Sequence, residues 1–340
     1  MRNECCEFLL HQVAFYNDEI RPCCSFTIDK RKLFYNNFSG DIQGIKDYLK
    51  AREKYIKSFK ENGTAPCLNG CTIFEKTLDT DTSFKINNLI ISHRTYCSCN
   101  CIYCEPSTGD TKKRKEIINK KKHYQIKPIL KYLYEENIIE ENCRFLICGG
   151  ECSEYPREEL GWLIYFAMIT NCNMLILSSG INYSKEIETA LEYKKTVLKI
   201  SVDSGTKKTF EKIKRVKKYN EVWKNIKKYI QISQKSNSVD TYVELKYIII
   251  PGINDTMEEV DAFIKKCRKV KCKYVRIDVE HFWVEENKNN IEKQKTVKKI
   301  INSFFDKLYA DKEIKIDIEG VYKDWLWAFV QDKYTNHQMG

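Results

Sequence analysis

Between residues 86 and 279, short apolar runs alternate with longer amphipathic stretches. The runs predict strands over Ile86–Ser92, Arg144–Cys148, Met174–Leu177, Val197–Val202, Tyr242–Ile250 and Tyr274–Val279. The intervening stretches predict helices over Ile126–Ile139, Glu158–Thr170 and Lys185–Tyr193, in segments through Gln231, and over Met257–Val270. Strands alternating with helices in this way predict a parallel α/β sheet.

In α/β barrels, function gathers at the C-terminal ends of the strands. The unusual residues of this chain fall there. A cysteine loop follows the first strand, Gly149-Gly150-Glu151 the second and Ser178-Ser179-Gly180 the third. Asp203 follows the fourth, Pro251-Gly252-Ile253-Asn254 the fifth and His281 the sixth. Glycine, serine, aspartate and asparagine end many strands simply as turn residues. That explains each loop singly, but not the cysteine loop and Gly-Gly-Glu meeting at one predicted rim.

Cysteine density divides the rest of the chain. Residues 1–80 carry six of the 16 cysteines in loop-like surroundings, residues 81–285 hold the alternating core, and residues 286–340 read as a helix, a strand and an aromatic tail. In a reducing compartment such thiols are not disulfides but metal ligands, Fe–S ligands or catalytic groups. The N-terminus lacks an apolar signal segment, and no run approaches the ~18–20 apolar residues of a membrane span. A soluble, cytoplasmic, oxygen-sensitive protein is expected. The net charge of +11 collects in lysine clusters at 112–115, 120–122 and 207–218. Without aromatic interleaving or a nucleic-acid motif, these are read as solvated faces rather than a nucleic-acid surface.

The cysteine loop reads Cys97-Ser98-Cys99-Asn100-Cys101-Ile102-Tyr103-Cys104. Cys97, Cys101 and Cys104 give C-x3-C-x2-C. Three thiolates can hold three irons of a [4Fe–4S] cluster and leave the fourth open to a small molecule. Including Cys99 gives the alternative of an all-cysteine zinc site or a closed cluster. Structural zinc, however, usually draws its ligands from separated knuckles, whereas here four crowd into eight residues.

This loop after a first strand resembles the signature of the radical S-adenosylmethionine (radical SAM) superfamily, in which an aromatic residue, here Tyr103, precedes the last cysteine. Ile147-Cys148-Gly149-Gly150-Glu151 resembles the family's Gly-Gly-Glu-Pro strand end, which holds the methionyl ammonium, with Cys152 in place of proline. The segment from Lys199 through Asp203 resembles the fourth-strand end, and Ile248 through Asn254 the turn that touches adenine. The resemblance covers about residues 84–282. It implies a partial (β/α)6 TIM-like barrel, a [4Fe–4S] cluster on Cys97, Cys101 and Cys104, and S-adenosyl-L-methionine as cofactor. Cofactor contacts are implied for Tyr103, Gly149, Gly150, Glu151, Ser179, Ser201, Asp203 and Asn254. The implied reaction begins with reductive cleavage of S-adenosylmethionine, fed by a donor such as flavodoxin or ferredoxin. The resulting 5′-deoxyadenosyl radical abstracts hydrogen in a cavity closed to water.

The N-terminal pairs Cys5-Cys6 and Cys23-Cys24, with Cys67 and Cys71, resemble a SPASM or twitch auxiliary-cluster module. Here that module precedes the core instead of following it, and it lacks the full seven-cysteine set. The resemblance implies a second [4Fe–4S] cluster on Cys6, Cys23, Cys67 and Cys71, with Cys5 and Cys24 as alternatives. A structural zinc is the competing reading. Cys99 and Cys152, near the rim, are candidate hydrogen-atom donors. Cys143, Cys172, Cys267 and Cys272 read as small buried hydrophobes. His281 is a candidate acid or base.

The first expectation is oxidation, crosslinking or epimerisation of a peptide or protein side chain or α-carbon. The second is oxidation or epimerisation of a small molecule such as a sugar or aminocyclitol. The third is a non-catalytic, zinc-ribbon-like nucleic-acid-binding protein.

Overall fold

The computed structural model describes residues 4–17, 19–22, 38–62, 76–78, 85–104, 124–309, 313–320, 322–330 and 334. Cys23, Cys24, Cys67 and Cys71 lie outside them, as does the side chain of Cys5. The chain divides into two compact units, Met1–Cys97 with Lys115–Ile176, and Ser98–Arg114 with Leu177–Gly340.

The first unit contains β1 (Glu4–Cys6), α1 (Glu7–His11), β2 (Gln12–Tyr16), β3 (Ile20–Arg21), α2 (Ile42–Asn62), β4 (Lys76–Leu78) and β5 (Ile86–Ser92). It continues with α3 (Ile126–Glu135), β6 (Ile139–Ile147), α4 (Arg157–Ile169) and most of β7 (Asn173–Ser178), whose last two residues fall in the second unit. β5, β6 and β7 run parallel, as the strand–helix alternation predicts. β2 adds a further parallel strand to β5, from Gln12 opposite Asn88 to Tyr16 opposite Ser92. Asn88 fastens the register by donating to Gln12 Oε1 at 2.7 Å, and Val13, Ala14 and Phe15 are fully buried. Strand pairing therefore runs past residue 80. β3 returns antiparallel to β2, and β1 pairs with β4 in a separate ribbon. Cys6 packs with Leu9 and Leu10 in a small apolar cluster flanked by Phe8, Tyr55 and Ile56.

α3 buries Ile126, Ile129, Leu130 and Leu133 along one stripe. It stops sooner than its predicted end at residue 139, because Asn137 takes a left-handed φ of 54°. β6 then starts at Ile139, ahead of the apolar run that predicted it.

The second unit holds β8 (Thr196–Ser201), β9 (Tyr242–Ile249), β10 (Tyr274–Val279) and β11 (Lys315–Ile318), parallel and in that order. Its helices are α5 (Lys185–Glu192), α6 (Lys207–Lys214), α7 (Tyr219–Lys235), α8 (Met257–Val270), α9 (His281–Asn287), α10 (Ile291–Tyr309) and α11 (Lys323–Trp327). Side chains cap the starts of α5, α6 and α8: Ser184, Thr206 and Thr256 accept from the amides of Ile187, Thr209 and Glu259. Left-handed Arg215 and Lys271 end α6 and α8.

One sheet face in this unit is apolar. Leu198, Ile200, Leu245, Tyr247, Val275 and Ile277 are buried there, each contributing about 1.5–3 kcal/mol. The Tyr247 ring meets Phe263 of α8 at 5.0 Å and Phe304 of α10 at 4.9 Å. β11 carries the sheet past residue 285. Among the described residues, no helix is long and apolar enough to cross a membrane.

Candidate active site

In the first unit, the end of β6 is a glycine cradle. Cys148 N donates to Ile91 O at 2.8 Å, and the chain then turns through Gly149 and Gly150 with φ of 89° and 58°. A β-carbon at Gly149 would stand 2.6 Å from both Arg94 O and Ser92 Oγ, and one at Gly150 only 2.1 Å from Tyr96 O. Close backbone approach therefore requires glycine at both positions. Glu151 N donates to Tyr96 O at 2.8 Å. The Glu151 side chain is buried, and its Oε1 accepts from Ser153 N at 3.1 Å and Ser153 Oγ at 2.8 Å. The Tyr155 hydroxyl stands 2.5 Å from Cys148 O and 3.0 Å from Gly149 O, and burial holds its pKa well above the usual phenol range.

The strand beneath the cradle is braced by Glu159. Its Oε1 is 2.8 Å from His93 Nε2 and 2.9 Å from Arg94 Nε, and its Oε2 accepts from Arg94 Nη2. Burial alone would raise this carboxyl, but the hydrogen bonds from His93 and Arg94 prevail and lower it to about 2.

In the second unit, the cysteine loop is fastened to the end of α6. Asn100 N donates to Lys214 O at 3.1 Å, Ile102 N to Ile213 O at 3.0 Å, and Cys104 N to Cys101 O at 3.1 Å. Lys214 and Asp203 are both closed to solvent. Asp203 Oδ2 accepts from Tyr103 OH at 2.6 Å and Lys214 Nζ at 2.5 Å, and Oδ1 from Ile248 N at 2.8 Å. Lys214 Nζ also donates to Tyr103 OH at 2.7 Å. Burial disfavours the ammonium, yet the Asp203 charge beside it keeps the Lys214 pKa raised. Cys101 is lowered to about 6, foremost by a hydrogen bond from Cys99; burial opposes this and the Lys214 charge assists.

Thiolate is the form that ligates iron, so the donor chemistry of this loop fits an iron–sulfur cluster. Among the described residues, no three cysteine, histidine or carboxylate side chains stand together at metal-ligating distances. Cys97 closes the first unit, whereas Cys101 and Cys104 belong to the second.

The other predicted residues take varied positions. Ser201 ends β8 opposite Lys246, and Ser179 is half-buried after β7. Asn254 is buried, with Nδ2 donating to Asp203 O and Ile248 O at 2.8 Å each, and Oδ1 accepting from Ile250 N at 2.6 Å. Cys99 and Cys152 are buried, and the Cys152 thiol donates to Ile147 O at 3.4 Å. His281 begins α9, with Nε2 3.6 Å from Asp278 Oδ2.

Two features were not anticipated from sequence. Lys214 lies within a lysine-rich run that reads as solvated. Its signal is helical spacing, since Phe210, Ile213 and Lys214 form the buried face of α6. The second is the polar face of β8–β11. Lys199 lies 3.1 Å from Glu244 and also pairs with Glu319. Lys246 lies 3.0 Å from Asp278 and 3.2 Å from Glu319. Arg276 reaches Glu244 at 2.8 Å and also pairs with Asp317.

No family model matches the chain. It is 29% identical over 190 residues to the GTP 3′,8-cyclase of Clostridium botulinum (strain Hall), covering 54% of this chain and 54% of that protein. It is 25% identical over 227 residues to the GTPase Obg of Brachyspira hyodysenteriae, covering 66% of this chain and 32% of that one. The chain thus spans about a third to a half of these relatives' own length. No two of its glycines stand five positions apart, so it contains no G-x4-G-K phosphate loop. SuiB of Streptococcus suis superposes with a TM-score of 0.53 at 14% identity, covering 86% of this chain and 59% of SuiB. SuiB is a radical SAM enzyme, as is GTP 3′,8-cyclase. The fold is the mostly parallel, TIM-barrel-like α/β fold of radical SAM enzymes.

Proposed function

We propose that this chain is a radical SAM enzyme that modifies a peptide or protein substrate. The observation that carries the reading is the C-x3-C-x2-C loop directly after β5 in a chain with the fold of SuiB. In this reading Cys97, Cys101 and Cys104 hold a [4Fe–4S] cluster, and the cradle of Gly149, Gly150 and Glu151 receives the methionyl end of S-adenosylmethionine. When bound, the cluster and cofactor supply reductive cleavage of the sulfonium and a 5′-deoxyadenosyl radical for hydrogen abstraction. The chain's own residues prepare for this. The loop hydrogen bonds hold the ligand backbone, and Cys99 and Lys214 favour thiolate at Cys101. The two glycines bring Glu151 close to the backbone of Tyr96.

A peptide substrate is supported by SuiB, which has been solved bound to its precursor peptide SuiA as well as to S-adenosylmethionine. A small polar substrate is the second reading, favoured by the stretch similar to GTP 3′,8-cyclase and by the charged face of β8–β11. A second cluster on the N-terminal cysteines and a flavodoxin or ferredoxin donor complete the proposal.

Anaerobic reconstitution with iron and sulfide tests it. About four or eight irons per chain, a band near roughly 400 nm and 5′-deoxyadenosine on reduction with S-adenosylmethionine are expected. Zinc alone, without that band, would overturn it in favour of a zinc-binding protein. Deuterium transfer into 5′-deoxyadenosine from labelled peptides or sugars then separates the two substrate classes.

A further inference from the structure

We propose that Lys214 is the positioning residue of the cysteine loop and that the Lys214–Asp203 pair sets the electrostatic environment of Cys101. This rests on the reading of Cys101 as a cluster ligand. The attachment is both backbone and side chain. The carbonyls of Ile213 and Lys214 accept from Ile102 and Asn100, so the last turn of α6 grips the loop on either side of Cys101. Through its ammonium, Lys214 closes a ring of three hydrogen bonds with Tyr103 OH and Asp203 Oδ2, at 2.7, 2.6 and 2.5 Å. The Lys214 ammonium also lies 5.3 Å from the centre of the Tyr103 ring.

Burying a lysine and a carboxylate together carries a desolvation cost that their attraction alone often fails to recover. A purely structural pair could be replaced by apolar side chains. A fixed positive charge fastened to the loop that carries the cysteines has a further effect: it opposes the negative charge that accumulates when a cluster is reduced. Asp203 acts in the opposite sense. The two residues therefore form a matched pair of opposing influences on one ligand.

The test uses the full chain, anaerobically reconstituted, as wild type, Lys214→Met, Lys214→Arg, Asp203→Asn and the Lys214→Met/Asp203→Asn double variant. Iron per chain and the cluster midpoint potential, followed by EPR during reductive titration, are measured. Lys214→Met should shift the potential negative and Asp203→Asn positive. The double variant should return toward wild type, and Lys214→Arg should preserve the wild-type value. A loss of packing alone would not move two neighbouring variants in opposite directions. Normal iron loading with unmoved or like-signed shifts would overturn the inference and leave the cluster reading intact. A wild-type chain that takes up no iron would overturn both. If Lys214→Met does not fold, Asp203→Asn and Lys214→Arg decide: a positive shift in the first with none in the second supports the proposal, and any other pattern overturns it.

Discussion

Gly150 lies against the peptide carbonyl of Tyr96, so close that a β-carbon there would stand 2.1 Å from the oxygen. The same oxygen accepts the Glu151 amide at 2.8 Å. Gly150→Ala must push this strand end away and also adopt a φ of 58°. A loss of about 1–3 kcal/mol of stability is expected, with S-adenosylmethionine affinity falling at least about tenfold. Thermal denaturation and equilibrium dialysis measure the two effects. A wild-type dialysis constant in a correctly folded variant would remove the cradle from the binding site.

Glu159 makes a specific contribution to acid stability. Its pKa is lowered from 4.5 to about 2, so its stabilisation is present above pH 4.5 and is lost as the pH falls toward 2. After allowance for solvent screening this is worth about 1–2 kcal/mol. Glu159→Gln should be less stable than wild type at pH 7, with the difference closing as pH drops through that window. Denaturant melts across the pH series check this; a constant difference would mean that the His93 and Arg94 contacts act through packing.

Cysteine replacements should separate the two cysteine groups. Cys101→Ala should lose about four irons per chain and all 5′-deoxyadenosine formation. Cys67→Ala should still cleave S-adenosylmethionine but yield no modified substrate. Full turnover by Cys67→Ala would make any second metal site structural or absent.

Lys246 neutralises two acids, Asp278 and Glu319, with little solvent to help. Lys246→Met should therefore cost about 3–5 kcal/mol, as removal of one partner from a buried charge network does. Adding Glu319→Gln should restore part of that loss, giving a measurable coupling energy in a double-mutant cycle. Strict additivity would show that the polar face is wetter than its geometry implies.

All six predicted strands are present, and Ile86–Ser92 and Tyr274–Val279 keep the same bounds, because polar or charged residues flank each segment, Lys85 and His93 the first and Lys273 and Glu280 the second. The start of β6 was not legible: Ile139-Glu140-Glu141-Asn142-Cys143 has no apolar run, and its pairing depends on partners elsewhere, such as Ile86 opposite Ile139. β2 was hidden for a similar reason, being five residues between cysteine pairs whose partner strand lies some seventy positions away. At the site, the loop and the strand-end glycines could be read because they carry chemistry in their spacing. The charged face could be read only halfway. Val243-Glu244-Leu245-Lys246-Tyr247 alternates as a half-buried strand should, but its polar side could as well have met water. Only the register of Lys199 opposite Glu244 shows that it meets other charges. Lys214 was obscured by the lysines around it.

The pairing of β2 with β5 bears on how this protein can be dissected. A chain trimmed to begin near residue 81 would keep every cysteine of the loop, yet it would leave the backbone donors and acceptors along one side of β5 bare. An open strand edge of that length is a template for another chain. The trimmed core is expected to aggregate or dimerise through β5, and a fragment restoring Gln12–Tyr16 should rescue it.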